Sequence, residues 1–416
     1  MIMSEINLET EIAELVEWLG AFGADSQGGV SRLLYDESWV QAQEALRARF
    51  DESGFSARYD EVGNLFAKFE GTKYKDETIA TGSHVDSVKF GGKLDGAYGV
   101  LASFLATKYL KEKYGEPLRN IEIVSIAEEE GSRFPFTFWG SQNIVGKVDA
   151  NEIKGIKDND GVLFEDAMKQ AGFGVKTTND GIPSDWKKWL EVHIEQGAVL
   201  EIEKLQVGVV QHIAGQRRYT VEITGEANHA GTTPMKYRKD AGVATAEIIN
   251  NIHKNAVEHG EPLVATVGSV EFTPGTVNVV PGRSNFSIDV RHTQKEDIIS
   301  FTENMEKMMK DVAEKAGLGI EINLYMDEDP VPMSQDIVDV ISKQCEELKL
   351  NYKVMHSGAG HDTQRFAPLV PSAMIFVPSR AGISHNPAEY TDPKELAEGV
   401  RVLAHSLYEL AYKEEI

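Results

Sequence analysis

The sequence predicts an α/β protein in which a mixed-sheet domain is interrupted by an inserted ferredoxin-like α+β domain. Apolar strands alternate with amphipathic helices in the first half of the chain and again near its C-terminal end. Between these segments the order changes to strand, helix, strand, strand, helix, strand. The length of 416 residues also exceeds what one hydrophobic core usually organises, so two domains, or one domain with a large insertion, are expected.

The flanking segments are predicted from hydrophobic periodicity and turn signals. Ser38 is expected to cap the helix Trp39–Phe50, and the turn-prone pair Gly63–Asn64 precedes the strand Leu65–Phe69. The other predicted helices and strands of these segments are Thr78–Thr81, Val100–Lys113, Ile121–Ala127, Trp189–Val192, Ser334–Leu348, Ala373–Val377 and Pro393–Lys413. Helices that alternate with apolar strands favour a mostly parallel or mixed sheet covered by helices.

The middle of the chain has the element order of the split ferredoxin-like unit. Its predicted elements are Arg218–Gly225, Arg238–His259, Val264–Phe272, Asn285–His292, Lys295–Ala316 and Gly319–Met326. We therefore predict an inserted domain at 213–328, with the main domain formed by 1–212 and 329–416.

Composition limits the partners and the compartment. Lysine and arginine total 42 against 66 for aspartate and glutamate, a formal charge of −24, which disfavours nucleic acid and anionic membrane partners. Apolar stretches such as Ala373–Pro378 are too short to span a bilayer. The single cysteine, Cys345, excludes an intramolecular disulfide and a thiolate metal cluster, so cytoplasmic residence is expected.

Histidines and carboxylates cluster where apolar strands end. His84 follows the strand Thr78–Thr81, Asp95 lies between glycine-containing turns, and a third cluster, Glu128-Glu129-Glu130, follows the strand Ile121–Ala127. His193 and His385 lie in two further loops. Loops at the carboxyl ends of strands converge in α/β folds.

A lone histidine in a loop usually has a structural role, and three successive glutamates usually form a solvated face. Here the glutamates follow a buried strand, where their mutual repulsion is costly unless a cation neutralises it. Histidines and carboxylates together suit divalent ions such as Zn²⁺ or Mn²⁺. The residues thus favour a metal hydrolase.

Eight motifs resemble the dinuclear metallopeptidase clan and, within it, the branch of N-carbamoyl amidohydrolases. They are Gly-Ser-His84-Val-Asp86, Leu-Asp95-Gly96, Glu129-Glu130-Gly-Ser-Arg-Phe, His193-Ile-Glu-Gln196-Gly, Asn228-His229-Ala-Gly-Thr-Thr-Pro, Asn278-Val-Val-Pro-Gly, Asp289-Val-Arg291-His292 and Ile-Ser-His385-Asn-Pro. Four further stretches are similar to the allantoate-cleaving members of that branch: 133–140, 215–220, 326–333 and 354–361.

The resemblance implies two divalent metal ions per subunit, Zn or Mn, with Asp95 bridging them. His84 and His193 would complete one site, and Glu130 and His385 the other. Asp86 would hold the far nitrogen of His84, and Glu129 would act as the general base. The peptidase relatives typically have a carboxylate where this chain has His193, so histidine there points toward the ureido-cleaving branch.

The resemblance also implies that inserted-domain residues handle the organic part of the substrate. Arg291 would bind a carboxylate, and His229 would donate to the oxyanion. Contacts are also expected from Asn278, from Gln196 and from backbone NH groups near Gly358 and Ala359. By itself, Arg291 would be read as a surface ion pair. No role is assigned to His361 and Asp362, and His212, His292 and His356 are taken as structural.

The implied reaction is hydrolysis of a ureido C–N bond of allantoate, a small ureido acid, giving ureidoglycine, ammonia and carbon dioxide. N-carbamoyl-L-amino acids remain an alternative substrate class, and an aminopeptidase or an inactive binding protein on the same fold are further alternatives. The resemblance implies a homodimer whose inserted domains act as a lid and dimerisation domain, with His229 completing the partner's active site. Action of His229 within its own chain after hinge closure is the alternative.

Overall fold

The computed structural model describes residues 5–178 and 180–415. The chain forms two compact units, one from residues up to Gln211 together with those from Met333 onward, and one from His212–Pro332. The second unit begins one residue before the predicted 213–328 segment and ends four residues after it. Among the described residues, none of the helices combines the length and the apolar character needed to span a membrane.

The described helices and strands are numbered in chain order. The helices are α1 (Glu5–Gly20), α2 (Glu37–Glu52), α3 (Ala97–Tyr114), α4 (Trp139–Ile144), α5 (Phe164–Gln170), α6 (Val199–Glu203), α7 (Ala241–His259), α8 (Lys295–Ala316), α9 (Gln335–Glu347), α10 (Thr363–Phe366) and α11 (Pro393–Ala411). The strands are β1 (Ser56–Tyr59), β2 (Leu65–Phe69), β3 (Tyr74–His84), β4 (Arg119–Ile126), β5 (Trp186–Ile194), β6 (Val207–Ile213), β7 (Gly215–Thr224), β8 (Asn228–His229), β9 (Val264–Thr273), β10 (Val279–Val280), β11 (Arg283–His292), β12 (Gly319–Glu328), β13 (Val331–Pro332), β14 (Tyr352–Ser357) and β15 (Ser372–Val377).

The first unit is built on a mixed sheet, and this confirms the predicted fold class. Its strands follow the order β1-β2-β4-β3-β5-β15-β6, and β14 pairs with β6. Strands β4, β3, β5 and β15 run parallel to one another, whereas β2 and β6 are antiparallel to their neighbours. The parallel strands are the buried centre of the sheet, so their carboxyl ends meet at one edge.

Helices α3 and α11 pack against this sheet and against each other. Gly99 of α3 lets the helix approach β5 closely, because a Cβ there would lie 2.3 Å from the carbonyl oxygen of Val192. Helix α2 begins two residues before the predicted Trp39, and its cap is Asp36, which accepts a hydrogen bond from the Trp39 N–H. The prediction of Ser38 as the cap was wrong because Ser38 lies inside the first turn and donates to Asp36 instead.

The second unit has the order β7-α7-β9-β11-α8-β12 along the chain. Its four antiparallel strands lie in the spatial order β12-β7-β11-β9, which is the ferredoxin-like arrangement, and α7 and α8 share one hydrophobic core with the sheet. Helix α7 begins at Ala241 and not at Arg238, because the Asp240 carboxylate caps it by accepting from the N–H groups of Gly242 and Val243. Strand β9 lies at the edge of this sheet and is largely exposed.

Candidate dinuclear metal site

The parallel strands of the first unit bring the predicted ligands to one edge of the sheet. His84 is the last residue of β3, and His193 is the penultimate residue of β5. Glu130 follows β4, Asp95 lies two residues before the start of α3, and His385 lies in the loop after β15. Parallel strands end at the same edge of the sheet, so the loops that follow them lie close together.

Asp95 lies at the centre of this group, and its two carboxylate oxygens face different partners. Asp95 Oδ1 is 3.5 Å from His84 Nε2 and 3.2 Å from His193 Nε2. Asp95 Oδ2 is 3.0 Å from His385 Nε2, which is itself 3.2 Å from Glu130 Oε1. Two groups of possible ligands, His84–Asp95–His193 and Asp95–Glu130–His385, therefore share one carboxylate.

The imidazoles of the first group are oriented by their Nδ1 atoms. His84 Nδ1 lies 3.1 Å from Asp86 Oδ1, and His193 Nδ1 lies 2.9 Å from the carbonyl oxygen of Ile194. A proton on each Nδ1 satisfies these acceptors and leaves the Nε2 lone pairs directed toward Asp95, as metal-binding histidines require.

Gly96 makes the close approach of His84 and Asp95 possible. Its φ is +60°, and a Cβ at this position would lie 2.3 Å from ring atoms of His84. Any side chain here would displace the imidazole of His84, so the position after Asp95 requires glycine for steric reasons.

Three residues support Asp95 from the other side. Gln196 Nε2 donates to Asp95 Oδ2 at 2.9 Å, and Ser384 Oγ donates to the same oxygen at 3.1 Å. Buried Glu389 accepts from the backbone N–H groups of Leu94 and Asp95 and also from Ser384 Oγ. Sequence reasoning missed Ser384 and Glu389; their proximity to His385 in the chain was the available signal.

The electrostatics of the site show an excess of negative charge. Burial and the neighbouring Glu130 raise the pKa of Glu129 well above its ordinary value. Ion pairing with Asp95 and Glu130 raises the pKa of His385 to about 11. Burial by itself would lower the pKa of His84, but its contacts with Asp86 and Asp95 outweigh burial and raise it.

This donor set fits divalent cations. Each group combines imidazole nitrogen with carboxylate oxygen, as Zn²⁺ and Mn²⁺ prefer. Cations bound by the Nε2 atoms would offset the negative charge of the carboxylates. The residues present therefore fit two ions that share Asp95.

A third group, Glu191, His193 and His361, fits an ion less well. The carboxylate of buried Glu191 accepts hydrogen bonds from the hydroxyls of Ser83 and Thr363, both at 2.6 Å. His361 packs edge-on against His193, with ring centroids 4.6 Å apart. We interpret this group as a hydrogen-bonded and packed support of the site.

In the second unit, His229 is exposed and its tautomer is defined. Its Nδ1 accepts hydrogen bonds from the N–H groups of Gly231 and Thr232, at 3.0 and 3.2 Å. The proton therefore lies on Nε2, which makes the outer edge of the ring a donor. Arg238 holds this loop by donating to the carbonyl oxygens of Ala230 and Thr233.

The other predicted substrate residues of the second unit are also at or near its surface. Asn278 is exposed, and its carbonyl oxygen accepts from the Ala230 N–H. Arg291 is half-buried and forms a two-pronged pair with Asp289, Nε to Oδ1 and Nη2 to Oδ2, both at 2.9 Å. The intrachain ion pair considered for Arg291 is therefore present. Buried His292 accepts from the Gln294 N–H before α8.

Gly358 and Ala359 lie in the first unit, directly after β14. The Ala359 N–H donates to Ser357 Oγ at 3.1 Å, and His361 Nε2 lies 2.9 Å from the same oxygen. This turn is thus held by its own hydrogen bonds. His361, which had no role assigned from the sequence, contributes to it.

The fold and the site define a hydrolase of a known family. The sequence profile of the peptidase family M20/M25/M40 matches residues 80–409, and the chain belongs to this family. The solved structure of an amidase of the hydantoinase/carbamoylase family from Burkholderia multivorans is similar, with a TM-score of 0.92, 29% identity and coverage of 97% of this chain and 98% of that one.

Identities to individual relatives indicate which members of the family the chain resembles most among those compared. The chain is 50% identical to the allantoate amidohydrolase of Escherichia coli, covering 97% of this chain and 98% of the relative. It is 43% identical to the allantoate amidohydrolase of Bacillus subtilis, covering 99% and 100%. Identity to the N-carbamoyl-L-amino-acid amidohydrolase of Paenarthrobacter aurescens is 35%, covering 95% of each. The resemblance predicted from the motifs is confirmed.

Proposed function

We propose that this chain hydrolyses a ureido C–N bond of allantoate and yields ureidoglycine, ammonia and carbon dioxide, a step of purine breakdown. The identity of 50% and 43% to two allantoate amidohydrolases, against 35% to an N-carbamoyl-L-amino-acid amidohydrolase, supports this substrate over the alternative. The histidine at position 193 in the site, where peptidase relatives typically have a carboxylate, agrees with a ureide substrate.

The observation that carries the chemistry is the shared carboxylate of Asp95. His84, Asp95 and His193 would hold one ion, and Asp95, Glu130 and His385 the other. When bound, two such ions, Zn²⁺ or Mn²⁺, act as Lewis acids that polarise the ureido carbonyl and lower the pKa of the attacking water.

Glu129 is assigned as the general base. Its backbone N–H donates to Asp86 at 3.0 Å, and its carboxylate lies in one group with the His84 imidazole and the Glu130 carboxylate. Glu129 is assigned to accept a proton from the attacking water. It then passes this proton to the leaving nitrogen.

His229 is assigned as the oxyanion donor. Its Nδ1 accepts hydrogen bonds from two backbone N–H groups, so the Nε2–H on the other edge of the ring is the donor. A neutral donor held in this way stabilises the negative charge that develops on the ureido oxygen without itself losing a proton.

Substrate recognition is assigned to polar groups of both units. Asp289 orients the Arg291 guanidinium through its two-pronged pair, and Arg291 is assigned to bind the substrate carboxylate. Gln196 donates from Nε2 to Asp95, while its buried Oε1 has no hydrogen-bond partner among the described residues. That oxygen can accept from the ureido NH₂. Asn278 and the turn at Gly358 and Ala359 complete the proposed contacts.

Ammonia release tests the proposed substrate directly. The wild-type chain, loaded separately with Zn²⁺ and with Mn²⁺, is assayed on allantoate and on N-carbamoyl-L-amino acids with apolar side chains. Allantoate should have the higher kcat/KM with either ion. A clear preference for an N-carbamoyl-L-amino acid would assign the chain to that alternative class, and no turnover of either would favour a peptidase or a binding protein.

The proposal includes a homodimer formed through the second unit, as lid and dimerisation domain. Several large apolar side chains of this unit are exposed: Met235, Tyr237, Val243, Phe272 and Val277. Strand β9 also leaves the edge of the four-stranded sheet exposed. Exposed apolar groups and an exposed edge strand are each typical of a surface that pairs with another copy.

Subunit mixing separates action of His229 in trans from action in cis. His229→Ala and Glu129→Gln, each inactive alone, are mixed under conditions that exchange subunits. If His229 serves the partner's site, a mixed dimer has one site with both groups intact, and about a quarter of the wild-type activity should return. If exchange is demonstrated and activity stays absent, His229 works within its own chain.

Cytoplasmic residence also belongs to the proposal. Cys345 is buried, and burial raises the pKa of its thiol to about 12. A chain whose single thiol is protected and unpaired is suited to a reducing compartment.

A further inference from the structure

Arg32 is a buried arginine near the metal site that the proposed reaction does not use. It is 1% exposed, and its guanidinium binds backbone carbonyl oxygens. Nε donates to the oxygen of Val85 at 2.6 Å, and Nη1 donates to those of Leu19 and Phe22, both at 3.0 Å. A buried charge is costly unless it is hydrogen-bonded, and these three bonds offset part of that cost.

The backbone of Arg32 binds the same turn as its side chain. Its N–H donates to Ser87 Oγ at 2.9 Å, and its carbonyl oxygen accepts from the Ser87 N–H at 3.0 Å. Arg32 therefore holds Val85 and Ser87, the two residues on either side of Asp86.

Asp86 connects this turn to three residues of the proposed site. Its carboxylate lies 3.1 Å from His84 Nδ1 and accepts from the backbone N–H groups of Glu129 at 3.0 Å and Glu130 at 3.2 Å. Asp86 is itself 1% exposed.

We propose that Arg32 is a positioning residue of the dinuclear site, which fixes the Val85–Ser87 turn so that Asp86 orients His84 and the Glu129–Glu130 backbone. The inference rests on the proposed function in one respect, that His84 and Glu130 bind ions. Because His84 and Glu130 are assigned to different ions, Arg32 acts on the affinity of both ions.

The test measures metal affinity apart from activity. Arg32→Met keeps an unbranched apolar chain of comparable length but removes the charge and all side-chain donors. Zn²⁺ and Mn²⁺ affinities are measured by competition with a chelating indicator, beside urea unfolding and steady-state kinetics on allantoate. Affinity for both ions should fall at least about tenfold. We also expect kcat to fall while KM stays within about twofold.

Arg119→Met is the matched control. Arg119 is also buried, pairs with Glu77 through Nε at 2.6 Å and donates to the Lys413 carbonyl oxygen, but it lies at the amino end of β4, away from the proposed ligands. The Arg119→Met variant should have a lower free energy of unfolding than the wild-type chain and the same metal affinity. If folded Arg32→Met keeps wild-type metal affinity within about twofold, as Arg119→Met is expected to, Arg32 is merely structural and the proposal is overturned.

Ser87→Ala provides the test if Arg32→Met does not fold. It removes the Arg32 N–H bond to Ser87 Oγ without removing a buried charge, and it should lower metal affinity at least about threefold. Unchanged affinity in folded Ser87→Ala would contradict the proposal. A wild-type chain that binds no ions would instead overturn the proposed function, so the two failures are distinguishable.

Discussion

The two units of the chain present their functional side chains in opposite ways. In the first unit His84, His193 and Asp95 are 2%, 1% and 6% exposed, and hydrogen bonds from backbone and side chains fix them, whereas His385 is the exposed member of the proposed ligand set. In the second unit His229 and Asn278 are exposed, and Arg291 is half-buried.

This difference follows from what each region would bind. An ion requires donors held at fixed positions and shielded from water, because misplaced or solvated ligands bind it weakly. A small organic substrate must enter from water and its products must leave. Groups that recognise such a substrate remain accessible, and their own local bonds orient them, as Asp289 orients Arg291. We therefore expect substitutions of functional residues in the first unit to change metal binding and the reaction rate. Substitutions in the second unit should change substrate binding.

The largest effect is expected for Asp95→Ala. Loss of the shared carboxylate leaves both ligand groups incomplete and removes the charge that separates two cations, so at least one ion and nearly all activity should be lost. Elemental analysis measures the bound ions, and ammonia release measures the activity. Asp185→Ala is the control, because Asp185 accepts from Lys68 and Thr78 at the opposite end of the strands. Two ions retained by Asp95→Ala would show that Asp95 does not bridge.

Glu129→Gln should have the next largest effect. The amide keeps the shape but cannot accept a proton, so kcat should fall at least about a hundredfold while two ions stay bound. Glu122→Gln, a buried glutamate in β4 bonded to Trp186, should keep its rate within several-fold. A Glu129→Gln enzyme with most of its activity would mean that another group is the base.

Arg291→Lys tests the second unit. Lysine keeps the charge but loses the planar fork, so KM for allantoate should rise about tenfold with little change in kcat or metal content. Arg218 also pairs with Asp289, through Nε at 2.9 Å, so Arg218→Lys controls for loss of that ion pair. Equal rises in KM for both variants would indicate that only the ion pair matters.

The smallest effect is expected for Asp240→Ala. The Asp240 carboxylate caps α7, and its loss should lower the free energy of unfolding by about 1 kcal/mol. Metal content should stay at the wild-type value, because the cap lies in the second unit. Urea unfolding followed by elemental analysis measures both, and a loss of ions here would contradict the separation of roles between the units.

The elements predicted with most success were those with strong local patterns. Strand β2 and helix α8 have the predicted bounds, because a short apolar run after a turn signal and a continuous amphipathic period are properties of neighbouring residues. The first turn of α2 was not predicted correctly, since Asp36 and Ser38 both qualify as caps and only the folded turn distinguishes them.

For the site, the sequence by itself determined the residue types and their placement at strand ends, which favoured a metal hydrolase, and the family resemblance of its motifs implied two ions and a general base. Only the tertiary structure decided which oxygen of Asp95 faces which histidine, that Gln196 and Ser384 donate to the same carboxylate, and that Arg291 pairs with Asp289. It also decided that Arg32 supports a turn 53 residues further along the chain. Hydrogen bonds between segments so far apart leave no periodic trace in the sequence, because they depend on how strands and helices pack and not on which residues are neighbours.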